Sequence, residues 1–126
     1  MKPGNHKNTS FLKSFKYAWE GILEAFRQGR NIRVQSAAAV LAVVLGLVLG
    51  ISIYEWIIII FCIGGVIGAE CFNTSFEDVV DLACPEIHPK AKAAKDLAAA
   101  GVLCFSIASL VIGLIVYGPR LIALFA

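Results

Sequence analysis

The sequence predicts an all-α membrane protein in which one amphipathic N-terminal surface helix precedes three transmembrane helices. Three observations lead there. The 126 residues are 59% apolar, with a mean hydropathy of +0.80, far above the usual range for a soluble domain. Apolar runs of about bilayer length occupy residues 34–53, 56–72 and 97–118, the second of them carrying a single acid, Glu70. Charge is segregated: seven of the eleven Lys and Arg precede Val34, and six of the nine acids fall within residues 70–96. A net charge of +2 with its basic residues gathered at one end suits a membrane surface and gives no footprint for nucleic acid.

Residues 1–10, with Pro3, Gly4, Asn5 and Asn8, read as a flexible cytoplasmic tail, and residues 11–126 as one membrane domain. Phe11, Phe15, Trp19, Ile22 and Phe26 recur in steps of three and four while Lys13, Lys16, Glu20 and Glu24 take the other side, which predicts an interfacial helix. A helix docked on a soluble core shares this pattern, but three lipid-length segments follow, and Lys with Trp suits a headgroup layer. Arg27, Arg30 and Arg33 stand just before the first span and hold its start in the cytoplasm. No signal peptide is expected, because the apolar run begins late and no small-residue cleavage site precedes Glu55. The connection over residues 52–56 has no Lys or Arg and is placed outside, with Tyr54 and Trp56 as interface anchors. The second span has to run on through Glu70 into the cytoplasm until Pro85 and Pro89 end it. That leaves residues 84–89 as a cytoplasmic loop. Pro119 and Arg120 mark the outer end of the third span, so the amino terminus lies inside and the carboxyl terminus outside.

The pairs Gly46-x-x-x-Gly50 and Gly64-x-x-x-Gly68, with Ala98, Ala99, Ala100 and Gly101, permit close helix approach. Three short spans leave little room for a buried polar site, so a homo-oligomer is expected. Cys62, Cys71, Cys84 and Cys104 lack paired metal-ligand spacing and read as free, reduced thiols. One nearby histidine, His88, does not make them a zinc site.

Chemistry concentrates in residues 70–96. Glu70, Asn73, Glu77 and Asp81 are spaced +3, +4 and +4, one polar stripe of a helix, with Phe72, Phe76, Val79 and Val80 opposite. Glu70 follows fourteen uncharged residues, 56–69, which sets it at the edge of the hydrocarbon, where a carboxylate is costly and usually functional. A lipid hydroxyl sits near that depth and needs a proton acceptor there. A nucleotide stays in water with its magnesium, which needs an oxygen ligand such as Glu77 and a cation such as Lys95. The chain has no G-x-x-x-x-G-K-[ST] motif and no kinase-type glycine loop. On the residues alone, an ion or proton pathway, or a helix end merely solvated by acids, stays open beside phosphoryl transfer.

The pattern E-x-x-N-[ST]-x-x-E-x-x-x-D followed by P-E-x-H-P-x-A-K-x-A-K-D closely resembles the bacterial membrane-bound diacylglycerol kinase and undecaprenol kinase family. It takes in Glu70, Asn73, Thr74, Glu77, Val79, Val80, Asp81, Glu86, His88, Lys92, Ala94, Lys95 and Asp96 in one window. Weaker agreement covers Tyr17-x-Trp19, Arg30-Asn31-x-Arg33 and Glu55-Trp56, so the resemblance spans roughly residues 11–119. It implies a homotrimer of three-span protomers in the bacterial inner membrane, with active sites between subunits. It also implies ATP-dependent phosphorylation of a membrane lipid alcohol with Mg2+. By the same resemblance Glu70 is the catalytic base, and Asn73 belongs with it to the lipid and phosphate site. Glu77 is the metal and ATP ligand, and Tyr17, Glu86, Ile87, His88, Lys95 and Asp96 contact the nucleotide.

One departure stands out. Many members carry an acid just before the R-N-x-R segment as a second metal ligand, and this chain has Gly29 there, which predicts weaker metal binding. Replacing that glycine is expected to strengthen the helix around it as well. The R-N-x-R, E-W and P-E-x-H-P-x-A-K wording leans toward undecaprenol as substrate, with diacylglycerol the alternative within the family. An inactive member, a small membrane protein without enzymatic function, is the alternative of another class.

Overall fold

The computed structural model describes residues 10–126 as four consecutive α-helices: α1 (Phe11–Gln28), α2 (Arg30–Leu49), α3 (Ile53–Ala83) and α4 (Pro89–Phe125). The expected tail, apart from Ser10, lies outside the described residues. Ser10 caps α1, its Oγ accepting from the Lys13 N–H at 3.3 Å. α2, α3 and α4 are each long and apolar enough to cross a membrane, so the protein is a three-span membrane protein with an amphipathic first helix.

Every helix boundary has a local cause. α1 and α2 are separated by Gly29 alone, at φ −106 and ψ 125. The Arg33 side chain reaches back to the Phe26 and Arg27 carbonyls at 2.8 and 3.1 Å, satisfying two acceptors that the end of α1 leaves open. Gly29 therefore sits in an extended junction and not inside a helix, so the expected gain in helix propensity on replacing it does not apply.

α2 stops at Leu49, short of the expected residue 53, because Gly50 takes a left-handed conformation (φ 65) and its N–H bonds the Gly46 carbonyl at 3.0 Å. Ser52 and Glu55 then form a capping box that starts α3. The Glu55 N–H donates to Ser52 Oγ at 3.2 Å and the Ser52 N–H donates to Glu55 Oε1 at 2.9 Å.

α3 has 31 residues, about 46 Å at 1.5 Å per residue, against a hydrocarbon core of about 30 Å. One unbroken helix thus spans the lipid and carries the polar stripe beyond it, as expected from the sequence. Pro85 follows its end, but Pro89 does not terminate anything. It opens α4 at the first helical position, where a missing N–H is harmless, beneath a His88 cap whose Nδ1 accepts from the Lys90 N–H at 3.1 Å. At its other end α4 continues through Pro119 to Phe125, contrary to the expectation that Pro119 and Arg120 mark its end. The Arg120 guanidinium donates to the Val116 carbonyl at 3.1 Å, whereas the carbonyl that the proline leaves without its N–H partner is that of Ile115.

α4 packs antiparallel along α3, with α2 on the hairpin's flank and α1 across the α3 segment beyond the span. Two glycines make this close approach possible. The Phe105 ring lies where a Cβ on Gly65 would stand, and the Trp56 indole comes within 2.7 Å of the corresponding point on Gly46. Gly64 and Gly68 face open space, so that expected pair does no close packing inside the chain.

At the end away from the α3–α4 loop, Ile51, Ile59, Val116 and Tyr117 form a small core. The Tyr117 hydroxyl donates to the Ala42 carbonyl at 2.7 Å. Arg120 grips Glu55 with two bonds of 2.7 Å, the bidentate geometry that a guanidinium favours.

Candidate active site

The stripe on α3 runs from buried to exposed. Glu70 is 4% exposed and Asn73 9%, while Glu77 one turn further on is open to solvent. Glu70 owes its partner to α2: Gln35 Nε2 donates to Glu70 Oε1 at 3.1 Å, which satisfies one oxygen of an acid that hydrocarbon would otherwise leave unpaired. Gln35 Oε1 has no partner. Asn73 Nδ2 donates to Glu77 Oε1 at 3.2 Å and so orients that carboxylate, while Asn73 Oδ1 is buried and unpaired. Two unpaired amide oxygens thus flank the buried acid, both of them acceptors for a hydroxyl or oxygen donors for a hard cation.

The basic residues come from the start of α4, beyond its apolar stretch. Lys95 donates to Asp81 across the hairpin, and that hydrogen bond raises the Lys95 ammonium above its usual value. Lys92 holds Asp96 on its own helix at 2.6 Å. Lys95 and Asp96 are thus both engaged, but each with a different residue.

The loop residues Glu86 and Ile87 are exposed. The Cys84 thiol donates to the Glu86 carbonyl and to Glu86 Oε2, each at 3.5 Å, and His88 serves as the α4 cap. Tyr17 is exposed on α1; no hydrogen bond joins it to the other predicted site residues among the described residues. The structure therefore brings together Glu70, Asn73, Glu77, Asp81 and Lys95 along one hairpin. It leaves Tyr17, Glu86 and Ile87 at the rim.

Among the described residues, no three His, Cys, Asp or Glu side chains converge on a metal position. The four cysteines are free, as expected. A magnesium ion bound here would rest on few protein oxygens and on the phosphates of a nucleotide, which is how this ion is usually held.

Three connections were missed from the sequence. Gln35 lies inside an uncharged run, where a lone amide in a span calls for a partner. Gln28 joins α1 to α3, its Nε2 donating to Glu24 at 3.0 Å and to Asp78 at 3.2 Å; nothing in the local pattern announces that bridge. The Glu55–Arg120 pair had a signal, since Glu55 is the sole acid between Glu24 and Glu70 and Arg120 the sole base after Lys95.

Three lipid-length helices, one of them carrying a buried acid toward its end, define a small multi-pass membrane protein. The chain belongs to the prokaryotic diacylglycerol kinase family, whose model matches residues 16–117. It is 42% identical over 123 residues to the undecaprenol kinase of Bacillus subtilis, covering 96% of this chain and 100% of that one. It is 34% identical over 116 residues to a diacylglycerol kinase of Synechocystis, covering 91% of this chain and 66% of that one. To a diacylglycerol kinase of Helicobacter pylori it is 32% identical over 123 residues, covering 94% and 92%.

Proposed function

We propose that the protein transfers the γ-phosphoryl group of ATP to the hydroxyl of a membrane lipid alcohol, and that this alcohol is undecaprenol. The observation that carries the chemistry is Glu70, a carboxylate buried at the end of a membrane span and bonded to Gln35. Of the acids of the stripe it is the one next to the apolar run and the one that is buried. The near full-length likeness to an undecaprenol kinase supports the choice of lipid.

In this reading Glu70 accepts the proton as the lipid oxygen forms its bond to the γ-phosphorus and the bond to the leaving diphosphate breaks. Gln35 holds the carboxylate still. Its free Oε1 and the free Oδ1 of Asn73 are further oxygens beside the acid. Magnesium, when bound, neutralises phosphate charge. Glu77, steadied by Asn73, is the carboxylate placed to hold it, and the unpaired Asn73 Oδ1 is a second oxygen nearby. Lys95 faces the nucleotide phosphates, which compete with Asp81 for its ammonium. Asp96, Tyr17 and the 86–88 loop border the nucleotide.

The protomers assemble as a homotrimer in the bacterial cytoplasmic membrane, with the amino terminus and the Glu70 end on the ATP side. The thin bundle and the many exposed apolar side chains on all three spans support assembly. The arginines flanking the start of α2 support the orientation.

The names of two relatives favour diacylglycerol as the second acceptor, so both lipids belong in one experiment. Labelled phosphate from ATP is followed into undecaprenol and into diacylglycerol in the same mixed micelles. The higher kcat/KM is expected for undecaprenol. Preference for diacylglycerol reverses the choice of lipid, and no transfer to either overturns the kinase reading.

A further inference from the structure

α1 meets the rest of the fold near one end only. Residues 11–21 are exposed throughout, and Ile22, Ala25 and Phe26 are the side chains of the helix that packing covers, against α3 and α2. A single extended residue, Gly29, joins it to α2. An 18-residue helix is about 27 Å long at 1.5 Å per residue, so a patch of little more than one turn leaves its angle open. Lipid under its apolar face restrains its depth, not its direction in the membrane plane.

Polar contacts fix that direction. Arg33 braces the junction through the Phe26 and Arg27 carbonyls. The Gln28 amide makes the link to α3, its Nε2 donating to Glu24 Oε1 at 3.0 Å and to Asp78 Oδ2 at 3.2 Å, one N–H for each carboxylate. Glu24 Oε2 lies 3.6 Å from Arg27 Nη1, so the amide is steadied from its own helix while it reaches the next. Among the described residues no other hydrogen bond joins α1 to α3. Asp78 directly follows Glu77, so the bridge pins α1 to the turn of α3 that carries the exposed carboxylate of the stripe.

The helix carries this constraint to Tyr17. Tyr17, Glu24 and Gln28 are spaced +7 and +4, which at 100° per residue puts Glu24 and Gln28 within about 20° of the line through Tyr17. The face that bonds Asp78 is thus the face that presents Tyr17. Tyr17 is about 16 Å from Gln28 along the axis, so a swing of about 10° at the bridge moves it about 3 Å. That exceeds the tolerance of a hydrogen bond or a stacked ring.

We propose that Gln28 is a positioning residue: its bridge to Asp78 holds α1 at the angle that sets Tyr17 beside a nucleotide bound at Glu77. The inference rests on the lipid-kinase reading and adds how the surface helix is aimed at that site. Without the bridge α1 samples other angles, and nucleotide has to draw it back. The fraction of molecules out of place then appears as weaker apparent ATP binding, while turnover at saturating ATP is kept.

The test compares wild type, Gln28→Ala, Asp78→Ala, the double variant and Asp78→Asn at saturating magnesium. KM for ATP, KM for undecaprenol, kcat and particle size are measured, together with Kd for a non-hydrolysable ATP analogue. Each alanine variant is expected to raise KM for ATP and Kd about fivefold, the scale of one charge-assisted hydrogen bond at a surface, with kcat, KM for undecaprenol and particle size within about twofold. The double variant should lose no more than either single one, as partners in one contact do. Asp78→Asn, which keeps an accepting oxygen but no charge, should stay within about twofold of wild type. Unchanged nucleotide constants in Gln28→Ala, additive losses in the double variant, or a loss in Asp78→Asn equal to that in Asp78→Ala each overturn the proposal, the last by showing that charge beside Glu77 and not the bridge sets binding. Wild type that binds the analogue but transfers no phosphate overturns the kinase reading alone, and the same cycle on Kd decides the bridge. Wild type that binds no nucleotide overturns both.

Discussion

Gly29 and Gln35 show at the scale of single residues what could and could not be read before the fold was known. Spacing alone placed Glu70, Asn73, Glu77 and Asp81 on one face of a helix, and the structure keeps them there. Spacing said nothing about Gln35, because its partner is 35 positions away and reaches it only through the packing of α2 on α3. Gly29 was legible as a missing carboxylate but not as a junction. A Cβ there would sit 3.1 Å from the Ala25 carbonyl and 3.5 Å from Ile32, tight but with an ordinary backbone. Gly29→Glu is therefore expected to lower the magnesium concentration for half-maximal rate, to leave lipid preference alone, and to bring no gain in melting temperature. A magnesium titration beside thermal unfolding checks this. An unchanged midpoint for magnesium would show that other oxygens already complete the ion's shell.

Helices were the most legible level, because charge-free runs and amphipathic spacing are local signals. Their ends were less so. Both Pro89 and Pro119 look like terminators in the sequence, yet the first begins α4, where no intrahelical donor is lost, and the second lies inside it, where the helix runs on at the cost of one bond. The glycine pairs illustrate the same limit: contact falls on Gly46 and Gly65, chosen by where Trp56 and Phe105 project from other helices, while Gly64 and Gly68 stay open. Gly65→Ala should then force the Phe105 ring to move and loosen the α3–α4 hairpin, costing about 1–3 kcal/mol, the usual range for overpacking a tight contact. Gly64→Ala, one position away, should change stability by less than about 0.5 kcal/mol. Unfolding of the two variants side by side measures the difference. Equal effects would mean that the Phe105 contact does not hold the hairpin.

As a whole molecule the protein is a thin, three-span bundle with its polar chemistry at one end and the Glu55–Arg120 grip at the other. Class and span count followed from composition; the joining of distant residues did not, because it depends on helix packing that no local pattern encodes. The proposed orientation predicts that a cysteine at Ser52, in a chain whose four native cysteines are replaced, reacts with an impermeant thiol reagent from outside intact cells. One at Glu86 should not. The reverse pattern inverts the topology.

The central claim is that this membrane bundle is an enzyme whose base is the buried Glu70, and the most direct measurement is the rate of phosphate transfer from ATP to undecaprenol by Glu70→Gln beside wild type. Particle size and ATP binding are followed in the same preparations. The change keeps shape and removes the proton acceptor, so kcat should fall by about 10²-fold or more, with assembly and nucleotide affinity retained. Near-normal turnover in that variant would contradict the account.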